Sequence, residues 1–323
     1  MDLIFIDTNI YLRFFDSNSK EFKRLLDDLI IVKSNIFVTN QIINEIERNK
    51  LNVFNKSISN YKKNVKISEV NLPEHIDGNN TRKLEEWNNK RRRIEEDNEK
   101  LIKELDVIFE ENISNISISK DNVSLKLKSI FQNISHASSE EITLARIRKE
   151  IGNPPGKKED PIGDQITWEQ LLNKIPQINR IWIITNDFDF YSKFKTTCYL
   201  NPYLSQELLN KHSEIEINIF ESLSDGLRHF FNFNKIHSKI SEADFKKVIE
   251  EEKTLLRNSV ESSNITSVGY DSKNKILEVE FKHGSVYQYF DVPENIYTEL
   301  MNANSHGFYF SANIRNNYEY QKV

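Results

Sequence analysis

The residues whose type and spacing could do chemistry are acids. Asp7 closes the apolar run Leu3-Ile4-Phe5-Ile6, and Asp187 follows the run Ile181-Trp182-Ile183-Ile184. Short unbroken apolar runs read as strands buried on both faces, and the carboxyl ends of such strands are where open α/β sheets gather ligands. Glu45, one turn into the helical pattern after a second apolar run, and Asp164, opening a helical pattern after a Pro/Gly-rich loop, are the natural third and fourth members. Four carboxylates brought together repel one another unless cations neutralise them, so a metal site is implied. Oxygen-only donors select hard Mg²⁺ or Mn²⁺. Taken singly, an acid after a strand is commonly a helix cap, and Asp7 ahead of Thr8-Asn9 admits that reading; four acids in one pattern favour ligation. The seven His show no paired metal spacing, and the single cysteine, Cys198, makes neither an intrachain disulfide nor a thiolate zinc site.

The elements that must position these acids are legible as alternating strands and helices. Strand-like runs at 3–6, 35–39 and 181–185, with a weaker one at 216–220, are separated by helical patterns at 19–31, 41–49, 164–174 and 223–231. Such alternation predicts an α/β/α sandwich around a parallel sheet. Thr39 or Asn40 is the expected N-cap of the helix that carries Glu45. Residues 79–111 are dense in Arg, Lys and Glu, with Trp87, Ile94, Leu101, Leu105 and Ile108 at helical spacing, and read as one long helix. With 117–134 it forms a helical insertion, about 75–135, within the sandwich. The stretch Gly152 to Pro161 holds three of the seven prolines and is a stiff loop. A charged helix from Ser241 to about Leu256 reads as a linker at 235–261. Beyond it, alternating strands at 276–282 and 285–290 joined at His283-Gly284, a helix at 293–302 and a turn at Gly307 predict a small α+β domain at 262–323.

Phe5-Ile6-Asp7-Thr8-Asn9, Asn44-Glu45-Ile46, Asp160-Pro161-Ile162-Gly163-Asp164 and Thr185-Asn186-Asp187-Phe188-Asp189-Phe190 resemble the PIN-domain nucleases over residues 1–234. The resemblance implies a three-layer α/β/α fold and metal-dependent cleavage of RNA, less often DNA. It implies that Asp7, Glu45, Asp164 and Asp187 are the catalytic metal ligands, with Asp7 shared by two ions. Asp189 is a possible additional ligand, and Asn9 and Thr185 support the acids from behind. Two ions about 3.5–4 Å apart would then activate water and offset charge on the reacting oxygens, with no protein nucleophile. Substrate phosphates would meet Lys157 and Lys158 in the stiff loop, with Arg146 and Arg148 on the helix before it. Arg91-Arg92-Arg93 is interleaved with Glu95, Glu96 and Glu99 and reads first as a solvated helix face. Unlike simple toxin-type members, this chain adds the inserted helices and the Pro-Pro loop.

The C-terminal unit, through Gly269-Tyr270-Asp271, Leu277 to Phe281, Gly284 to Tyr289, Val292-Pro293 and Ile314-Arg315, resembles the KTSC domain, which is also appended to lysyl-tRNA synthetases. That association points to RNA. Tyr287, Tyr289, Phe308, Tyr309 and Arg315 are the candidates to stack on and pair with it, although alternating tyrosines also pack cores.

Composition limits the alternatives. The chain of 323 residues is 38% hydrophobic and carries a net charge of −5, so nucleic-acid contact must come from local basic surface and not a global field. No apolar run has the length of a membrane span, and an acid stands at residue 2 where a secretory signal carries Lys or Arg, so a soluble protein of the reducing cytoplasm is expected. The leading reading is a metal-dependent endoribonuclease acting on single-stranded RNA or tRNA, such as a stress or phage-defence effector, with a regulatory protein or a second copy meeting the inserted helices. The alternatives are a DNA-directed nuclease and a non-catalytic RNA-binding or scaffold protein. A haloacid-dehalogenase-type phosphatase requires a second Asp two residues after the first, where this chain has Asn9.

Overall fold

In the computed structural model the run 2–6 forms strand β1 (Asp2–Ile6), buried at Leu3 to Ile6, and the other apolar runs assemble beside it. Strands β2 (Ile36–Phe37), β3 (Arg180–Ile184) and β6 (Glu216–Phe220) complete a four-stranded, wholly parallel sheet in the order β2-β1-β3-β6. The central strands β1 and β3 are the continuous apolar runs, as a sheet covered on both faces requires. Edge strand β6 is only half-buried, which explains its weaker pattern. The structure describes residues 1–17, 19–65, 81–156, 161–187, 189–194, 197–255, 257–260, 262–271 and 275–322.

Helices α1 (Thr8–Asp16), α2 (Lys20–Ile31), α3 (Asn40–Val65), α6 (Ser139–Ile151), α7 (Gly163–Lys174) and α9 (Leu223–Asn234) flank the sheet. The core joins sheet residues such as Ile4, Trp182 and Ile183 to Phe14, Phe22, Leu25, Trp168 and Phe230 from the helices. Ser19, predicted to open a helix, does so by accepting the Phe22 N–H at 3.0 Å. The strand expected at 35–39 is shorter because Thr39 leaves it: its hydroxyl accepts the Ile42 N–H at 3.1 Å and caps α3.

Further elements differ from the sequence expectation. Helix α3 runs 26 residues instead of ending near Asn49, because Leu51, Val53, Phe54 and Ile58 continue its apolar side, and α4 (Thr81–Ser117) packs along the helix. A two-stranded hairpin, β4 (Tyr191–Phe194) with β5 (Thr197–Leu200), follows the second acid and precedes α8 (Pro202–Lys211). In the C-terminal domain, the turn expected at Gly307 is helix α12 (His306–Asn313), capped by Ser305. And α10 (Glu242–Leu255), expected as a linker, packs on the sandwich through Phe245 and Val248. Its Glu252 is buried, accepts the Leu223 and Ser224 N–H groups at 2.9 and 3.0 Å, and lies 3.7 Å from Arg13. That carboxylate caps the N-terminus of α9, where the helix dipole favours a negative charge.

Arg148, assigned from sequence to phosphate contact, instead has a structural role. It is buried, donates to Glu169 at 2.8 Å and to both oxygens of Glu207, and holds the Pro154 carbonyl at 2.7 Å. Glu207 also accepts the Trp168 indole N–H at 2.9 Å, so one guanidinium ties α6, α7, α8 and the start of the Pro/Gly loop together. Arg146, two residues earlier, is exposed.

The C-terminal domain is a five-stranded antiparallel sheet of β7 (Arg257–Ser259), β8 (Ile265–Asp271), β9 (Ile276–Phe281), β10 (Val286–Tyr289) and β11 (Tyr320–Lys322), ordered β11-β10-β9-β8-β7. Helices α11 (Glu294–Met301) and α12 close over it around Val268, Val279, Leu300 and Phe310. The hairpin at His283-Gly284 is as expected, with Gly284 at φ +82°.

Arg148→Met should leave Glu169 as an uncompensated buried charge and Glu207 as a half-buried one, and we expect a loss of about 3–5 kcal/mol in urea unfolding. A change below about 1 kcal/mol would show that the guanidinium does not clamp these helices.

Candidate active site

Asp7 sits where β1 ends and α1 begins, with its N–H bonded to the Ile184 carbonyl of the neighbouring strand at 3.0 Å. It occupies the N-cap position of α1 but makes no side-chain cap hydrogen bond there. Its side chain points to β3: the Thr185 hydroxyl donates to Asp7 Oδ2 at 2.8 Å and accepts the Asp187 N–H at 3.0 Å. Thr185 is fully buried, so one hydroxyl orients both strand-end segments. Asp187 Oδ1 in turn accepts the Asp189 N–H at 2.9 Å, which turns the chain sharply after β3.

Glu45 comes from the second turn of α3. Thr8 donates to its Oε2 at 2.8 Å and Gln41 to its Oε1 at 2.6 Å, with Arg48 at 3.8 Å. Against it stands Gly163, the first residue of α7: a Cβ there would lie 2.0 Å from Glu45 Oε1. Gly163 is therefore the position at which α7 can approach α3, and Asp164 follows it in the first turn. The approach is secured by Thr39 and Thr167, whose hydroxyls are 3.3 Å apart, and by Gln170, which bonds Ser135 at 3.0 Å.

The electrostatics join these acids. Burial raises the Asp7 carboxyl first, and the charges of Asp187 and Glu45 raise it further, against the lowering hydrogen bonds from Thr185 and Thr8, to about 7. Asp187 is thus an acid whose charge reaches Asp7. Asp7, Glu45 and Asp187 occupy one neighbourhood at the carboxyl edge of the sheet, and Asp164 follows Gly163 in the first turn of α7. Among the described residues no three His, Cys, Asp or Glu side chains converge on one point as they stand. The oxygens instead accept from Thr185, Thr8 and Gln41. An all-carboxylate set in which burial and mutual repulsion hold a proton on Asp7 fits a hard divalent cation, which would replace that proton.

Of the other residues named from sequence, Asn9 is exposed on α1, and Lys157 and Lys158 lie outside the described residues. Thr8, Gln41 and Gly163 were missed. Thr8 is adjacent to an acid, Gln41 stands one turn before Glu45, and Gly163 breaks an otherwise ordinary helix start, but a contact between distant segments leaves no local pattern.

A second site lies in the C-terminal domain. Tyr287 and Tyr289 on β10, Phe281, His283, Phe310 and Arg315 line a cavity of about 370 Å³. Tyr289 is nearly fully buried, and burial together with the Tyr320 phenol pushes its hydroxyl up to about 12 despite Arg315. Phe308 is exposed outside the cavity, and the Tyr309 hydroxyl is engaged by Glu299 at 2.7 Å. His283, whose spacing in the sequence suggests no role, is one of the cavity residues because the hairpin turn carries it there.

The sign of the pH dependence follows from the raised Asp7 carboxyl. A carboxyl moved from 3.8 to about 7 favours folding while protonated, and that contribution is lost as pH rises through about 7. In chelator, Asp7→Asn should melt above wild type at pH 8, by at most about 1.4 kcal/mol for every tenfold change in proton affinity, and the gap should narrow at pH 5. Equal melting temperatures at pH 8 would show that Asp7 is not under this strain.

Comparison with known proteins identifies both domains. A PIN-domain profile matches residues 4–190, and a KTSC-domain profile matches residues 261–318. An uncharacterised protein of Stutzerimonas stutzeri is 37% identical over 68 residues, which is 21% of this chain and 96% of that protein. A lysine–tRNA ligase of Trichormus variabilis is 41% identical over 63 residues, 20% of this chain and 11% of the ligase. A crystal structure of a KTSC domain protein from Yersinia pestis is 40% identical, covering 21% of this chain and 94% of that one, with a TM-score of 0.20. PIN domains are generally nucleases that use divalent ions, which implies a hydrolase that binds nucleic acid. With more than half its length matched, the chain belongs to the PIN-domain family, and it carries a KTSC domain at its C-terminal end.

Proposed function

We propose that this protein is a metal-dependent endoribonuclease. The observation that carries the proposal is the buried Asp7 carboxyl flanked by the charges of Asp187 and Glu45 at the sheet's carboxyl edge. Asp7, Glu45, Asp164 and Asp187 would hold Mg²⁺ or Mn²⁺, and Asp189, just beyond, could join them. When bound, such an ion lowers the pKa of water and offsets charge on the phosphodiester oxygens. The chain's own part is positioning: Thr185 fixes Asp7, Thr8 and Gln41 aim Glu45, and the absent side chain of Gly163 lets α7 bring Asp164 in. Arg146, with Lys157 and Lys158, would meet the substrate backbone, and Asn9 stands at the exposed rim.

RNA is favoured over DNA because the chain carries a KTSC module of the kind found in lysine–tRNA ligases, and because its aromatic cavity suits a splayed base. The half-buried Tyr287 would stack on the base, Tyr289, packed against Phe310 and Tyr320, would support the cavity from within the core, and Arg315 would pair with the base's phosphate. Among the described residues no helix is long and apolar enough to cross a membrane.

Labelled single-stranded RNA, total tRNA and single-stranded DNA, incubated with Mn²⁺ or with chelator, give the test. Wild type should cut RNA only with metal, and Asp7→Asn should lose at least about 100-fold, the scale of removing one electrostatic stabiliser. Gly163→Ala, which displaces Glu45 without removing an acid, should lose activity at unchanged RNA affinity. Cleavage that persists in Asp7→Asn, or in chelator, would refute the metal mechanism; preferential cutting of DNA would refute the RNA reading.

Tyr287→Ala removes a stacking surface worth about 1–3 kcal/mol per base, so it and Arg315→Ala should each weaken RNA binding roughly 5- to 100-fold in a filter assay using an Asp7→Asn background. Unchanged affinity in both would assign the cavity to another ligand.

A further inference from the structure

Helix α4 has two apolar rows. Ile102, Leu105, Phe109, Ile113 and Ile116 are half-buried or buried toward the body, where α4 packs on α3. Trp87, Ile94, Leu101 and Ile108 form a second row at intervals of seven residues, and they are 40%, 57%, 60% and 54% exposed. The second row borders the first, so it extends an apolar face that α3 covers only in part. At 1.5 Å per residue it runs for about 30 Å, three heptads of a helix-packing seam. Ile108 borders a cavity that it shares with Phe15, Phe54 and Ile58, and the Arg91 guanidinium lies over the Trp87 ring, but more than a third of each side chain in the row stays exposed; an apolar row of this length on an otherwise charged helix marks an interaction surface.

The charges of the same helix say what would cover it. Residues 82–93 carry six Arg or Lys against two Glu, whereas residues 95–111 carry eight Asp or Glu against two Lys. A partner helix must therefore present acid along the first third and base along the rest, with apolar residues every seven. The α4 helix of a second copy, laid antiparallel, supplies the apolar spacing and sets residues 102–113, with four acids against one Lys, along residues 82–93, while the acidic centre 95–100 lies against its own counterpart. With a two-fold axis between Asp97 and Asn98, Trp87 falls level with Ile108, Ile94 with Leu101, and Arg91 with Glu104. A parallel pair would instead set base on base and acid on acid, which costs energy at every turn. Ion pairs within one chain, such as Arg91–Glu95 at 3.1 Å, link neighbouring turns and leave the helix with a basic first part and an acidic remainder. We propose that the protein is a two-fold dimer held by antiparallel α4 helices. An isologous contact of this kind closes on itself and does not propagate into a filament. No residue of the Asp7 site or of the Tyr289 cavity lies on α4, so the proposal stands independently of the assigned chemistry.

The full chain should run in light scattering at twice its 38.1 kDa mass at micromolar concentration, and Ile94→Lys and Leu101→Lys should each return it to the monomer with an unchanged circular dichroism spectrum. Charge reversal tests the direction. A chain with Arg91, Arg92 and Arg93 changed to Glu, and another with Glu104, Asp106 and Glu110 changed to Lys, should each be monomeric alone and dimeric when mixed. A monomeric wild type, a dimer that survives Leu101→Lys, or reversed chains that fail to pair on mixing while remaining folded, would overturn the proposal.

Discussion

A carboxylate buried at the junction of a strand and a helix is the constraint on which the rest of this protein depends. Asp7 lies where water is excluded and two further acids press on it, so at neutral pH it is poised between keeping its proton and accepting a cation. A group so placed survives only if its surroundings are rigid, because any relaxation would let water in or swing the acid out. The parallel ladder between β1 and β3 and the Thr185 hydroxyl supply that rigidity. So does the close seating of α7 on α3, where a side chain at residue 163 would push aside the ends of Glu45 and Gln41.

The same logic runs outward from the site. Buried ion pairs are poor sources of net stability, yet two occur here at junctions: Arg148 with Glu169 and Glu207, and Arg13 with Glu252. Each joins elements distant in sequence that no continuous apolar stripe would align uniquely. Arg148 fixes α7, which carries Asp164; Arg13, on α1 just after Asp7, is tied through Glu252 to the start of α9. These charges specify a geometry more than they deepen the fold.

How much of this could be read from sequence depended on whether a feature is local. The strands β1 and β3 announced themselves as unbroken apolar runs ending in acids, and the hairpin at His283-Gly284 as an alternating pattern with a glycine at its turn. The motifs around Asp7, Glu45, Asp164 and Asp187 carried the family resemblance. What stayed hidden was contact between segments far apart. Arg148 looks like a free cation until Glu207 folds over it, and Gly163 looks dispensable until Glu45 is seen against it. Helix α10 looked like a linker because a charged amphipathic helix has the same pattern whether it spans a gap or lies on a core. The apolar row of α4 shows the converse: its sevenfold spacing was visible at once, but only the structure separated the residues facing α3 from those facing outward.

Crystals soaked in Mn²⁺ and measured at its absorption edge test the central claim most directly, since the anomalous signal locates the ion without reference to activity. The account predicts a peak within coordination distance of Asp7, shared with Asp187, Glu45 or Asp164, and its loss in Asp7→Asn crystals. Ordered carboxylates with no anomalous peak among them at saturating Mn²⁺, or a peak elsewhere that Asp7→Asn leaves in place, would contradict it.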